Sequence, residues 1–256
     1  MKGSITFLGT AGARVMVAKQ ILASGGIWAD FEGVQILIDP GPGTLVQAAR
    51  KKLQPEKLSA IILTHKHLDH SSDVNVMIEA MTEGGLKRRG AVFAPADALE
   101  EDPVILRYLR SFPERIEVLR EGGSYTIEGI SFRTPVRHIH PVETYGLLFE
   151  LPEMKIAFIA DSRFFPELPS FYPADIIIIN VVRAEPGGPF DHLSIPDAER
   201  IISEIKPKLS ILTHFGMTMW RAKPAEVARR LSEKLGLEVM AARDGLTLDL
   251  GKIKLK

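Results

Sequence analysis

Short apolar runs rich in β-branched residues alternate with amphipathic stretches along the whole chain, the pattern of a layered α/β protein. The runs predict strands at 4–8, 27–31, 34–38, 60–63, 91–94, 131–135, 145–150, 155–160, 175–179, 210–212 and 246–250. Between them, residues 44–53 carry Leu45, Ala48, Ala49 and Leu53 on one stripe and end in Arg50-Lys51-Lys52, as a helix C-terminus prefers. Ser194 caps a second expected helix, which has Pro196 in its first turn, runs through Ala198, Ile201, Ile202 and Ile205, and stops at Pro207. Pro224 opens a third that ends near Gly236. The clusters Gly41-Pro42-Gly43, Gly84-Gly85 and Pro186-Gly187-Gly188-Pro189 are short enough to be loops, so one compact domain over residues 1–256 is expected. Trp28, Phe31, Phe149 and Phe158 alternate with other residues in these strands and read as core.

One internal echo adds to this picture. Ile62-Leu63-Thr64-His65 recurs as Ile211-Leu212-Thr213-His214, each downstream of a Lys-Leu-Ser. Ile36-Leu37-Ile38-Asp39 and Phe158-Ile159-Ala160-Asp161 likewise end apolar strands in an aspartate. The chain therefore reads as two similar α/β halves whose strand ends converge on one site.

Composition narrows the chemistry. Lys plus Arg and Asp plus Glu are both 32, so no global field gathers nucleic acid or an anionic membrane. The longest apolar stretch, from Ala174 to Val182, is interrupted by Asp175 and Asn180 and falls short of the about 20 residues of a bilayer span. Met1 to Ser4 lead straight into a strand without the apolar region of a secretory leader, so a cytoplasmic location is expected. The absence of cysteine excludes disulfides, thiolate zinc sites, iron–sulfur clusters and a Cys nucleophile. Any metal must be held by histidine and carboxylate.

The seven histidines are His65, His67, His70, His138, His140, His192 and His214, and three of them fall within His65-Lys66-His67-Leu68-Asp69-His70. In an extended segment residues two apart face the same way, so His65 and His67 can grip one cation while Asp69 and His70 turn toward a second. The segment follows the apolar 61–63 and precedes Ser71-Ser72-Asp73, good helix N-cap residues, which places it in a strand-to-helix loop. His138 and His140 compete for a third ligand position, because they too are two apart.

At this point the sequence resembles the metallo-β-lactamase superfamily, whose HxHxDH motif stands here as His65, His67, Asp69 and His70. Asp39, His140 in His140-Pro141-Val142-Glu143-Thr144-Tyr145-Gly146, Asp161 and His214 match the remaining motifs in order. The resemblance implies a four-layer αββα sandwich with a two-metal centre. It assigns His65, His67 and His140 to one metal, Asp69, His70 and His214 to the other, Asp161 to both, and Asp39 to orienting the histidine loop. Imidazoles and carboxylates without thiolate suit two Zn²⁺, and would also accept Mn²⁺ or Fe²⁺. Two such ions about 3.5–4 Å apart lower the pKa of a water between them toward about 7, which makes the expected reaction a hydrolysis with Asp69 and Asp161 in the catalytic set. His67 stands where the electron-transfer branch has glutamate.

The His-Pro-x-Glu-x-Tyr-Gly segment resembles that of tRNA 3′-processing endonucleases and of a cyclic phosphodiesterase, which selects His140 over His138 as ligand and leaves His138 as a surface or supporting residue. His192, in Asp191-His192-Leu193-Ser194, resembles the histidine those branches place opposite the metals to contact phosphate or protonate the leaving oxygen. The expected substrate is a small or cyclic phosphodiester or a short nucleic acid. Lactones and thioesters are the rival substrates, and a metal-stabilised binding protein without turnover is the rival class. Arg163 and Arg183 are weaker candidates for phosphate contact. The Lys87-Arg88-Arg89 run reads as a solvated loop, and Gly9-Thr10-Ala11-Gly12 as the family's turn after the first strand. Only twenty residues separate His140 from Asp161, leaving no room for the arm that bacterial tRNA-processing relatives insert there. A tRNA substrate is therefore not expected, a membrane partner is not expected, and a homo-oligomer is compatible with the sequence.

Overall fold

A computed structural model describes residues 2–253; the two ends of the domain expected over 1–256 lie outside the described residues. The first half contributes β1 (Gly3–Phe7), β2 (Ile27–Phe31), β3 (Val34–Ile38), β4 (Leu58–Ile62), β5 (Ala91–Pro95) and β6 (Arg115–Leu119). The second contributes β7 (Gly123–Ile127), β8 (Ile130–Thr134), β9 (Leu147–Glu150), β10 (Lys155–Ile159), β11 (Ile176–Asn180), β12 (Leu209–Thr213), β13 (Val239–Ala241) and β14 (Thr247–Asp249). The helices are α1 (Ala13–Lys19), α2 (Thr44–Arg50), α3 (Leu68–Ser71), α4 (Val74–Met81), α5 (Ile195–Ile205), α6 (Met217–Arg221) and α7 (Pro224–Leu235).

The strands form two sheets, in the orders β14-β1-β2-β3-β4-β5-β6 and β7-β8-β9-β10-β11-β12-β13. Read in those orders, both sheets show three antiparallel pairings followed by three parallel ones. Their inner faces share one core, in which Phe31 and Phe93 of the first sheet meet Phe132 and Phe149 of the second. The outer face of the first sheet is covered by Ala48 of α2 and Val74, Met77 and Ile78 of α4. Ile201 and Ile202 of α5 and Val227 and Leu231 of α7 cover the outer face of the second. The architecture is the αββα sandwich implied by the family resemblance, with the two similar halves expected from the internal echo.

The echo itself is out of step with that symmetry. Aligning the sheets pairs β3 with β10, which matches Asp39 to Asp161, but pairs β4 with β11 rather than with β12. The two Ile-Leu-Thr-His strands therefore end at the same site from non-equivalent places in their halves.

Expected strands agree within one or two residues, except that Tyr145 pairs with Arg137 only as an isolated bridge. The expected elements did not include the edge strands β6, β7 and β13, nor α1, α4 and α6 in detail. In α2 the inward side is Thr44 and Ala48, while Leu45 and Ala49 face solvent, contrary to the expected stripe. Thr44 is drawn inward because its hydroxyl donates to the Gly41 carbonyl (2.8 Å) and accepts from the Gly26 N–H (3.2 Å). Asp73 stands at the start of α4 as expected, yet its carboxylate accepts from the Leu45 N–H (3.0 Å) and so serves the neighbouring helix α2. The Ser194 cap is present as a reciprocal box with Asp197. The basic run is only partly solvated, because the Arg89 guanidinium donates to the carbonyls of Glu56 and Leu58 (3.2 Å for the latter).

Candidate metal centre

The ends of the parallel strands converge at one edge of the sandwich. His65 follows β4, Asp161 follows β10 and His214 follows β12, while one-turn α3 carries Asp69 and His70. His140 comes from the irregular segment between β8 and β9, and His192 from the loop ahead of α5. Asp39 and His214 stand at strand ends with left-handed backbone (φ 51° and 60°), an uncommon conformation for residues with a side chain and one concentrated at functional sites. Two glycines permit the convergence: a Cβ on Gly12 would lie 2.3 Å from the His214 carbonyl oxygen, and one on Gly41 would lie 2.1 Å from that of Asp69.

Two groups of side chains present ligand atoms within 4.8 Å of one another, His65 with His67 and His140, and Asp69 with His70 and His214. A third such group joins Asp39 to His65 and His70. In the first group His140 Nε2 lies 3.1 Å from His67 Nδ1; in the second His70 Nε2 lies 3.2 Å from His214 Nε2. Asp161 lies against the second group, 3.5 Å from His70 Nε2 and 3.4 Å from His214 Nε2, and its Oδ2 is 3.3 Å from His192 Nδ1. The structure thus brings together all seven residues of the expected ligand set and His192.

The partners on the far side of each ring decide whether these groups fit a metal. The His140 Nδ1–H donates to the Asp191 carbonyl (2.9 Å), which can only accept, so Nε2 is left with its lone pair pointing into the cluster. The Thr64 hydroxyl donates to Asp39 Oδ2 (2.7 Å) and therefore accepts from the His65 Nδ1–H (3.1 Å). His65 Nε2 is then a buried lone pair with no protein partner. Asp39 Oδ2 also accepts from the His70 Nδ1–H (2.9 Å), fixing that ring as well. Inward lone pairs on neighbouring imidazoles, each oriented from behind, are the arrangement a cation requires.

Electrostatics points the same way. Burial holds His65 well below the ordinary histidine range and His140 below it, and together with the nearby His140 ring brings His67 down to about 4. These rings are held neutral at neutral pH, the state in which imidazole can bind a metal. Burial pushes the carboxyls of Asp69 and Asp161 up, but the facing histidines override it and hold both below their usual range. Burial opposes charge on His70 too, yet Asp69, Asp39 and Asp161 hold its imidazole well above the usual range. The carboxylates demand positive charge at that point, which a divalent ion supplies.

His138 does not share a side with His140. It is buried, donates from Nδ1 to the Asp161 carbonyl (3.2 Å) and accepts the Tyr172 hydroxyl proton at Nε2 (2.8 Å), so it props the backbone of Asp161 and is not a surface residue. Asn180 was not anticipated as part of the site. Its Nδ2–H donates to Asp161 Oδ1 (2.8 Å), and the signal for it was a lone amide closing the apolar run of β11. The Ala13 N–H, donating to Asp69 Oδ2 (3.1 Å), left no signal in the sequence.

A profile of the Beta-lactamase superfamily domain matches residues 35–215, the stretch that runs from β3 past His214. The chain belongs to the metallo-β-lactamase superfamily. Along 99% of its length it is 32% identical to an uncharacterised protein of Methanocaldococcus jannaschii, covering 98% of that protein. It is also 33% identical to ribonuclease Z of Metallosphaera sedula, over 46% of this chain and 40% of that enzyme. Among solved structures, the metallo-β-lactamase fold protein YhfI from Bacillus subtilis superposes with a TM-score of 0.81 at 20% identity, covering 97% of this chain and 100% of that one. A diphosphatase from the PhnP family superposes at 0.72 with 21% identity, over 98% of each chain. The metallo-β-lactamase fold is that of metal-dependent hydrolases, and the His and Asp groups of this member are suited to divalent metal.

Beside the cluster opens a cavity of about 810 Å³, into which His67, Asp69, His140, Asp161 and His192 all face. Its other walls include Val15, Phe190 and Met217. Arg183 also lines it, but its guanidinium donates to the Phe190 carbonyl (2.8 Å) and so holds the 184–190 loop. Arg163 faces Asp191 across 3.4 Å. Both candidate phosphate arginines are thus engaged within the protein. Among the described residues no helix is long and apolar enough to cross a membrane.

Proposed function

We propose that the chain is a dinuclear metal-dependent phosphodiesterase acting on a small or cyclic phosphodiester or a short nucleic acid. The observation that carries the reading is the pair of neighbouring ligand groups, with Asp161 against His70 and His214 of one of them and His192 against the same carboxylate and lining the cavity. Zn²⁺ is the ion these donors favour, and Mn²⁺ or Fe²⁺ would also be held. Bound there, the ions supply Lewis acidity and an activated water at neutral pH. The chain's own residues do the rest. His65, His67 and His140 would hold one ion and Asp69, His70 and His214 the other, with Asp161 as a ligand beside them. Asn180 and the Asp39–Thr64 pair fix the orientation of these ligands. His192 Nδ1 faces Asp161, which leaves Nε2 to give a proton to the departing oxygen.

The cavity favours a small substrate. Its apolar wall suits one anionic centre carrying an organic group, with Arg14 and Arg183 as the guanidinium groups that line it. The likeness to the ribonuclease Z of Metallosphaera sedula spans 46% of this chain and 40% of that enzyme, and β9 joins β10 through a tight turn in which the Leu151 N–H donates to the Met154 carbonyl (3.0 Å). Lactone and thioester hydrolysis would use the same ions but give His192 less to do.

Metal analysis and a substrate panel test the proposal. Protein purified without chelator should contain close to two transition-metal ions per chain. Asp161→Ala should disturb both ions and His140→Ala mainly one. An aryl phosphodiester or nucleoside cyclic phosphate should be turned over faster than an acyl lactone, a glutathione thioester or precursor tRNA. Faster turnover of lactone or thioester, or position-specific release of a tRNA 3′ trailer, would overturn the substrate assignment.

A further inference from the structure

Glu143 and Tyr145 of the His-Pro-x-Glu-x-Tyr-Gly segment have no part in the roles above, yet they are anchored closely. The Glu143 N–H donates to Asp97 Oδ2 (3.0 Å), and the Asp97 N–H donates back to Glu143 Oε2 (3.3 Å). The buried Tyr145 donates its hydroxyl proton to Glu143 Oε1 (2.6 Å) and its N–H to the Thr64 carbonyl (3.1 Å), next to His65. Lys66, between His65 and His67, places its Nζ 3.8 Å from Asp97 Oδ2 and donates to the Glu101 carbonyl (2.8 Å). Asp97 itself follows β5 in a segment that carries no ligand.

This cluster joins the loops bearing His65, His67 and His140 to the loop after β5. The other ligand group is anchored elsewhere, Asp69 by the Ala13 N–H and His70 by Asp39. His140 depends on such support, because its segment belongs to no regular strand or helix and makes only isolated bridges. Fixing that loop in advance removes conformational freedom that an ion would otherwise have to restrict.

We propose that Asp97 and Glu143 form a reciprocal latch that sets the spacing of His140 from His65 and His67, and thereby the metal affinity of that group alone. The inference rests on the two-group reading of the site. Asp97 and Glu143 are positioning residues, acting through His140. Removing residues that orient metal ligands typically weakens affinity by about 10–100-fold.

Equilibrium dialysis against zinc with a competing chelator tests the latch on the wild-type chain, Asp97→Ala, Glu143→Ala, Asp97→Asn and, as a benchmark, His140→Ala. The expected result is one ion retained at wild-type affinity and the other weakened about 10–100-fold in both latch alanine variants, the same ion that His140→Ala loses. Asp97→Asn should recover most of the loss, since its amide oxygen can still accept from Glu143. Melting of the metal-free proteins by circular dichroism should give wild-type-like transitions. Equal loss of both ions, or no loss, overturns the latch. If the wild-type chain binds a single ion, the dinuclear reading fails separately. The latch then stands or falls on whether the alanine variants weaken that ion as His140→Ala does.

Discussion

A histidine at this site takes its role from whatever its second ring nitrogen touches. The carbonyl of Asp191 makes His140 an inward lone pair, whereas the carboxylate of Asp39 fixes the His70 ring through its Nδ1–H. His192 differs, since its Nδ1 faces Asp161 while its ring lines the cavity. His192→Asn should therefore lower kcat by about 10²- to 10⁴-fold on diesters with poor leaving groups, with metal content unchanged. The loss should shrink for a nitrophenolate leaving group, which needs no proton. An equal loss on both substrates would mark His192 as a packing residue. At this scale the sequence was most informative where ligands are neighbours, as in His65 to His70. It was least informative where a role depends on a remote partner: nothing local says that Arg183 is tied to the Phe190 carbonyl, or that His138 turns to Tyr172 while His140 turns to Asp191.

Elements position these residues by bringing backbone unusually close. The turn after β1 lies against the residue after β12, and Ala11 bridges Phe215 while the Gly12 N–H donates to the Phe215 carbonyl (3.0 Å). Gly12→Ala would force the two segments apart, because the new methyl would lie 2.3 Å from the His214 oxygen. The expected cost is about 1–3 kcal/mol of stability together with weakened binding of the ion held by Asp69, His70 and His214, read by denaturant titration and metal dialysis. An unchanged denaturation midpoint and full metal content would show that the turn can move aside. Helices with strong boundary signals, such as Ser194 with Pro196 or Pro224 with Gly236, were legible from the sequence. The residues of α4, Val-Asn-Val-Met-Ile-Glu-Ala-Met, lack such a signal, and the aspartate that should cap them serves α2. The edge strand β6, Arg-Ile-Glu-Val-Leu, alternates polar and apolar positions, so its period was legible in the sequence.

For the whole molecule, burying so many neutral imidazoles couples stability to pH. Burial brings fully enclosed His138 down to about 4, whereas an unfolded histidine titrates near about 6.5. Between those values the unfolded chain binds more protons, so acid destabilises the fold across that window and the effect levels off below it. His138 alone accounts for about 3 kcal/mol, and His65, His67 and His140 act in the same direction. His70 acts oppositely. Its stabilisation is complete below about 6.5 and is lost as pH rises through its raised folded value. Urea midpoints of the chelated protein should therefore fall from pH 6.5 to pH 4, and a flat profile would contradict the burial of these rings as neutral groups. Adding metal at neutral pH should raise the midpoint, since an ion at 100 times its Kd adds about 2.7 kcal/mol.

The contact between His70 and His214 spans 144 positions of sequence. During synthesis the HxHxDH segment is complete long before the residues that finish the cluster exist, and a contact so distant in sequence forms late in folding. The nascent chain therefore carries its motif as an inert precursor. Any activity that needs the complete cluster would arrive only with the docking of the second half, and a chain halted or clipped before His214 would lack it.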